Sequence, residues 1–242
     1  MRILVLSDIH ANLPALEAVL ADAEAVDAIW CLGDLVGYGP DPNECIQLIA
    51  SLPNLICLLG NHDAAALGRI DLETFNFEAR SAIQWTQSVL KPENKNFLSL
   101  LPEKKILQEV TLVHGSPRNP VWEYMMDKST AMENFDFFTT RLCFVGHTHF
   151  PVAFISRNFD DSVERRIFQP EDIQFLQDRM IINPGSVGQP RDHDPRASYG
   201  IFTSEDSTWE QRRVAYNIKV VQDRIDNMGL PGRNSVRLSG GW

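Results

Sequence analysis

Five times along this chain a short apolar run stops abruptly at a cluster of Asp, Asn, His or Gly, and no other feature limits its fold as much. The first run, Ile3-Leu4-Val5-Leu6, reads as a strand buried on both faces and ends at Ser7-Asp8-Ile9-His10. Residues 27–32 run into Gly33-Asp34, and residues 54–59 into Gly60-Asn61-His62-Asp63. Residues 106–113 reach His114, and residues 142–145 reach Gly146-His147-Thr148-His149. Between the first three runs lie helical stretches. One spans 12–23, with Leu13, Leu16, Val19 and Leu20 at helical spacing and Pro14 in its first turn. The other is opened by Asp41 as a helix cap and continues through Cys45, Leu48 and Ile49. Strand and helix alternate, and every strand ends in polar groups. That is the pattern of a layered α/β fold with its ligand site along one sheet edge.

Residues 64–101 break the alternation. Phe75, Ala79, Ala82, Ile83 and Leu90 give a helical apolar face, so this stretch reads as a helical insertion beside the site. After residue 150, the runs 152–157, 163–168 and 179–182 read as antiparallel strands of a second sheet. Residues 199–203 and 209–215 form a hairpin pattern, and 218–228 a last helix. We therefore expect one domain over 1–228 and a loosely ordered C-terminal tail over 229–242, where four glycines and a proline fall.

A net charge of −10 argues against a nucleic-acid-binding surface, which needs clustered Lys and Arg. Cys31, Cys45, Cys57 and Cys143 make no Cys-x-x-Cys pair and read as buried structural thiols. Met1 leads straight into the first strand, and no apolar run nears the roughly 18 residues of a membrane span. The expectation is a cytoplasmic protein without a membrane partner.

Five of the six histidines stand at expected strand ends, while His193 lies in a polar loop. One such histidine is unremarkable, but five in one topological position point to a shared site. Asp, Asn and His without thiolate suit Mn²⁺, Fe or Zn²⁺ rather than a soft metal. The donors are numerous enough for two ions, the usual device for in-line displacement at phosphorus.

Asp8-x-His10, Gly33-Asp34, Gly60-Asn61-His62-Asp63, His114 and Gly146-His147-x-His149 resemble, in order, the five sequence blocks of the calcineurin-like metallophosphoesterases. The run from Asn183 through Gly188 to Arg191 and Tyr199 also resembles a compact bacterial and archaeal phosphodiesterase branch. The resemblance implies a four-layered α/β/β/α sandwich and two divalent ions, manganese foremost, with iron, zinc or nickel as alternatives. It implies that Asp8, His10 and His149 hold the first metal, that Asn61, His114 and His147 hold the second, and that Asp34 bridges them. A hydroxide shared by the metals would attack phosphorus. His62 would face the substrate as a proton donor, with Asp63 or another carboxylate holding its imidazolium. The substrate would be a small phosphoester, a diester or a dinucleoside polyphosphate.

Protein phosphatases of this superfamily carry Gly-Asp-x-Val-Asp-Arg-Gly at the second block. Here Gly37 and Tyr38 replace the Asp-Arg pair, so the Arg phosphate clamp is missing unless Arg118 or Arg191 substitutes. Phosphoprotein phosphatase activity, or a metal-stabilised interaction module without turnover, are the alternatives. Asn12, Tyr38, Trp122 and Arg191 complete the candidate substrate contacts, with Asn61 on the phosphoryl oxygens and Tyr124 beside Trp122 for stacking.

Overall fold

The computed structural model describes residues 1–157, 162–170 and 172–242. Its first sheet holds the parallel strands β1 (Arg2–Leu6), β2 (Ala28–Cys31) and β3 (Leu55–Cys57), in the order β3-β2-β1. The second holds β4 (Lys104–Ile106), β5 (Val110–Val113), β6 (Leu142–Phe144), β7 (Val152–Arg157) and β8 (Ser162–Arg166). β9 (Ile173–Phe175) returns to the first sheet, β10 (Arg179–Asn183) joins the second, and the hairpin β11 (Ala197–Thr203)–β12 (Thr208–Val214) extends the first antiparallel to β1. In each sheet, three strands run parallel with their carboxyl ends beside the site: β1, β2 and β3 in one, β5, β6 and β10 in the other.

The alternation of side chains along β1 shows why there are four layers. Leu4 and Leu6 bury against α1 (Leu13–Asp22) and α2 (Pro42–Ala50), whereas Ile3 and Val5 point the other way. They meet Leu112, Leu142, Phe144 and Ile155 of the facing sheet. Beyond that sheet, Cys143, Val145 and Phe154 pack on α6 (Lys128–Asn134). The expected α/β/β/α sandwich is therefore the observed one, its central strands hydrophobic on both faces because each sheet is covered twice. All four cysteines are buried and unpaired.

Three expectations change. The single strand over 106–113 is instead the hairpin β4–β5, because polar Gln108 and Glu109 turn the chain and Leu107 N–H donates to the Val110 carbonyl at 2.8 Å. β10 is antiparallel to β7 but parallel to β6, so the second sheet is mixed. The tail expected to be loose forms helix α8 (Gly232–Gly240), which packs Leu230 and Leu238 on Val221 and Ile225 of α7 (Ile218–Asn227). Its glycines mark helix ends: Gly232 is the first helical residue, and Gly241 caps the other end at φ 62°. The region 64–101 is mostly helical, with α3 (Asn61–Ala66) leading into α4 (Phe77–Val89) and α5 (Pro92–Ser99). No helix among the described residues is long and apolar enough to cross a membrane.

Candidate active site

The strand-end residues of the two sheets meet. His10 Nε2 lies 3.0 Å from His149 Nε2, and Asp8 Oδ1 lies 3.4 Å from that same atom. Asp34 Oδ2 sits 3.7 Å from His10 Nε2 on one side and 3.4 Å from His114 Nε2 on the other. His114 Nε2 is also 3.0 Å from Asn61 Oδ1. Ligand-capable atoms of Asp8, His10 and His149 form one compact group, and those of Asp34, His114 and His147 another. Each group draws on both sheets. All seven candidate ligands are buried.

Five of the seven, Asp8, His10, Asp34, His147 and His149, hold positive φ angles between 48° and 66°. Such a backbone costs a non-glycine residue of the order of 1–3 kcal/mol and persists only where its surroundings enforce it. The enforcement is visible. Asp8 N–H donates to the Gly33 carbonyl and His10 N–H to the Asp34 carbonyl, tying the first two strand-end loops together. Asn183 braces the third by donating to the Gly146 carbonyl at 2.6 Å and to Thr148 Oγ1 at 2.9 Å.

Hydrogen bonding leaves the site short of a positive charge. His10 Nδ1–H donates to the Val36 carbonyl at 3.0 Å and His149 Nδ1–H to the Gln189 carbonyl at 2.6 Å. In the neutral rings each Nε2 is then a bare lone pair, and the two face each other beside Asp8 Oδ1. Burial holds both imidazoles well below the usual histidine pKa, so neither supplies a proton. Asp8 accepts the His147 N–H on Oδ2 and Asp34 accepts the His62 N–H on Oδ1, yet Asp8 Oδ1 and Asp34 Oδ2 are buried without any partner. Orphaned buried carboxylate oxygens are costly, and a cation is the group that satisfies them. The residues therefore fit a metal centre. His147 donates Nε2–H to the Trp122 carbonyl at 3.1 Å, which frees Nδ1 for the second group.

The charges elsewhere follow the same logic. Burial alone would lower His114, but the carboxylate of Asp34 raises it to about 9. Burial alone would raise Asp34, and His114 with His62 outweighs it, holding this carboxyl far below the usual range. Asp8 is pushed up to about 6, chiefly by burial.

His62 lies in a cage. Tyr38, His10 and Phe75 stand 4.6, 4.8 and 5.2 Å from its ring centre, and Gly37 adjoins Nδ1, where a Cβ would come within 2.3 Å. The expected pairing with Asp63 does not form. Both Asp63 oxygens are taken by backbone N–H groups of Gly60, Asp34, Leu35 and Val36 at 2.9–3.2 Å, because Asp63 is the third residue of α3 and caps it. Asp63 therefore shapes the loop carrying Asp34 rather than touching His62. Its carboxyl is pushed up to about 7 by burial, with the charge of Asp34 adding to the effect. His62 Nδ1 has no partner, and burial lowers its pKa to about 4. One atom of His62 also lies within ligand range of His10 and Asp34.

Gly60 is where α3 and the Asp34 loop come closest, and a Cβ there would stand 2.1 Å from Asp34 Oδ1 and 2.3 Å from Asp34 N. Gly60→Ala is expected to cost about 1–3 kcal/mol by overpacking and to weaken metal retention through Asp34. Urea unfolding and elemental analysis check this; an unchanged midpoint with unchanged metal content would refute it.

The candidate substrate contacts divide. Asn12 is spent on structure: its Oδ1 accepts the Ala15 N–H to cap α1, and its Nδ2 donates to the Gly188 carbonyl at 2.9 Å. Tyr124 stacks on His147, ring centres 3.7 Å apart, which braces that ring. Trp122 packs edge-on to Phe75 at 5.1 Å and lines a cavity of about 390 Å³ with Arg69, Thr74 and Asn119. Arg118 is committed to Glu123 and Glu133 and cannot replace the missing clamp. Arg191 has no such carboxylate among the described residues: it leans on Tyr38, and its charge is felt at His10, His62, His147 and His149. His193 is exposed. Sequence reasoning passed over Arg237 of α8, the helix whose Asn234 meets the Tyr38 carbonyl at 3.4 Å. The signal that could have found it is the Arg233-x-x-x-Arg237 spacing, one helical turn, in an acidic chain.

This fold, with histidines and aspartates converging from the strand ends of two sheets, defines a metallophosphoesterase. The model of the calcineurin-like phosphoesterase superfamily domain matches residues 1–207, and the chain belongs to that superfamily, a phosphoester hydrolase by class. A metallophosphoesterase from Sphaerobacter thermophilus has a crystal structure that superposes with a TM-score of 0.92 at 47% identity, covering 100% of this chain and 99% of that one. An uncharacterized protein of Methanocaldococcus jannaschii is 43% identical over 98% of this chain and 96% of its own. A symmetrical bis(5'-nucleosyl)-tetraphosphatase of Pseudomonas fluorescens is 28% identical, over 50% of this chain and 43% of that protein.

Proposed function

We propose that the chain is a dinuclear, divalent-metal-dependent phosphoesterase acting on phosphodiester or pyrophosphate-type bonds. The observation that carries this reading is the pair of buried acceptor groups, each with an orphaned carboxylate oxygen, with Asp34 Oδ2 of the second lying 3.7 Å from His10 of the first. Asp8, His10 and His149 would hold one ion, Asn61, His114 and His147 the other, and Asp34 both. Nitrogen and oxygen donors without thiolate favour manganese, with iron, zinc and nickel as competitors. When bound, the two ions supply Lewis acidity to the phosphoryl oxygens and lower the pKa of an attacking water.

The chain's own residues do the rest. The Asn61 amide binds the phosphoryl oxygens, the Arg191 guanidinium adds positive charge beside Tyr38, and the backbone carbonyls of Val36, Leu32 and Gln189 fix the rings of His10, His114 and His149. With Nδ1 shut in against Gly37, His62 has Nε2 as the nitrogen available to a substrate. A histidine lowered to about 4 is neutral by itself, so the negative charge of the substrate must recruit its second proton. Four buried, unpaired thiols suit the reducing cytoplasm.

Tyr38 in place of the arginine of protein phosphatases leaves a dianionic phosphomonoester with fewer partners than a diester. The relative that carries a symmetrical tetraphosphatase name points the same way. Diesters and dinucleoside polyphosphates should therefore show the higher kcat/KM in a matched panel assayed with Mn²⁺. Faster turnover of a phosphoserine peptide than of every diester and dinucleotide would reverse the assignment. No metal-dependent hydrolysis of any ester would leave a binding module instead.

A further inference from the structure

We propose that Arg191, from the loop before β11, and Arg237, from the C-terminal helix α8, form an anion clamp for a second phosphate group of the substrate. The proposal rests on the phosphoesterase reading and narrows it to substrates whose scissile phosphate is linked to another phosphate.

Each guanidinium has a buried Nε without a hydrogen-bond partner. Among the described residues, neither forms an ion pair. Arg191 donates only to neutral oxygens, Gln189 Oε1 at 3.1 Å and Tyr38 Oη at 3.4 Å. Arg237 lies on the indole of Trp242 at 5.5 Å. By contrast, Arg213, Arg224 and Arg233 each pair with a carboxylate in a chain of net charge −10. Two half-buried cations left without a carboxylate, where carboxylates are plentiful, are a cost that an arriving anion removes.

Their placement gives the anion its identity. Arg191 lies 5.7 Å from the ring of Tyr38, which itself packs on His10 and His62, and Arg237 stands on α8 three residues after Asn234. α8 is held there by Asn234, whose Nδ2 faces the Tyr38 carbonyl at 3.4 Å, and by Leu238 in the core. A phosphate on the metals with a second phosphate on Arg191 and Arg237 uses both ends of this arrangement. A lone diester phosphate uses only one. Planar guanidinium groups are the usual partners for such oxygens.

The test compares wild-type enzyme with R237Q, R237K and R233Q in excess Mn²⁺. The substrates are bis(4-nitrophenyl) phosphate, with one phosphate, and a dinucleoside tetraphosphate. Calorimetry with inorganic pyrophosphate supplies a readout without turnover. In R237Q the ratio of kcat/KM for the tetraphosphate to that for the diester should fall about tenfold, the effect of losing a charged hydrogen bond. Pyrophosphate affinity should fall by a similar factor, and R237K should recover part of both. R233Q, one turn earlier on α8 and equally against Trp242 at 5.6 Å, should keep the wild-type ratio, which controls for a loosened helix. Unchanged pyrophosphate affinity in R237Q overturns the clamp whatever hydrolysis shows. If the wild type cleaves neither ester while R237Q loses pyrophosphate affinity, the clamp stands and the phosphoesterase reading falls.

Discussion

Asp34→Asn is expected to strip the enzyme of both metals and of its activity. Asp34 Oδ2 lies between His10 and His114, at 3.7 and 3.4 Å, and among the described residues is the one carboxylate oxygen within 4 Å of histidines of both donor groups. The amide keeps an oxygen but removes the charge that two cations would share. A cation's stabilisation of a phosphoryl oxygen is several kcal/mol, so kcat should fall about 10³-fold or more. Asp8 Oδ1 lies on the His10 and His149 side, at 3.8 and 3.4 Å, so Asp8→Asn should loosen chiefly that ion. Elemental analysis of purified proteins separates these outcomes. Thermal unfolding adds a second measure: Mn²⁺ at about 100 times its dissociation constant stabilises the native state by about 2.7 kcal/mol, a shift that Asp34→Asn should lack. Two ions held tightly by Asp34→Asn would disprove the shared position of this carboxylate.

The residues of this centre were legible in the chain because their signal is local. A strand that is apolar throughout must be covered on both faces, so its polar residues collect where it ends, and Asp8, Asp34, Asn61, His114 and His147 all stand there. The central strands of both sheets were legible for the same reason, whereas the short, half-exposed β9 was not. What the chain did not reveal depends on contacts far apart in sequence. Which sheet β11 joins is decided by the pairing of Val5 with Gly200, and nothing near residue 200 announces it. The positive φ angles of His10 and His149 are imposed by neighbours, not by their own propensity. Asp63 looks like a partner for His62 because they adjoin in sequence. On a helix, adjacent side chains point apart, and Asp63 turns back to cap α3. Glycines misled the reading of the C-terminal segment, since the same residue that loosens a chain also ends a helix. Arg237 was lost with that segment.

His62→Ala should separate chemistry from metal binding. The ring nitrogens of His10, His114 and His149 that donate to backbone carbonyls are thereby oriented as ligands, but His62 has no such tether. Its orientation comes from the walls around it, Tyr38, Phe75 and Gly37. A ring positioned by packing alone suits a group that must gain and lose a proton as the substrate comes and goes. Removing it should leave both metals bound while kcat drops by about 10²–10⁴. Truncation also empties the cage, so His62→Asn, which fills more of that space, should be measured alongside. Alkyl leaving groups need a proton and 4-nitrophenol does not, so the loss should be larger for the alkyl ester. Equal losses on both would reduce His62 to stabilising charge on the phosphoryl oxygens. Its position within ligand range of His10 and Asp34 gives the experiment its sharpest alternative. If His62→Ala and His62→Asn each retain only one ion, His62 is a ligand, and the proton must reach the leaving group from another residue.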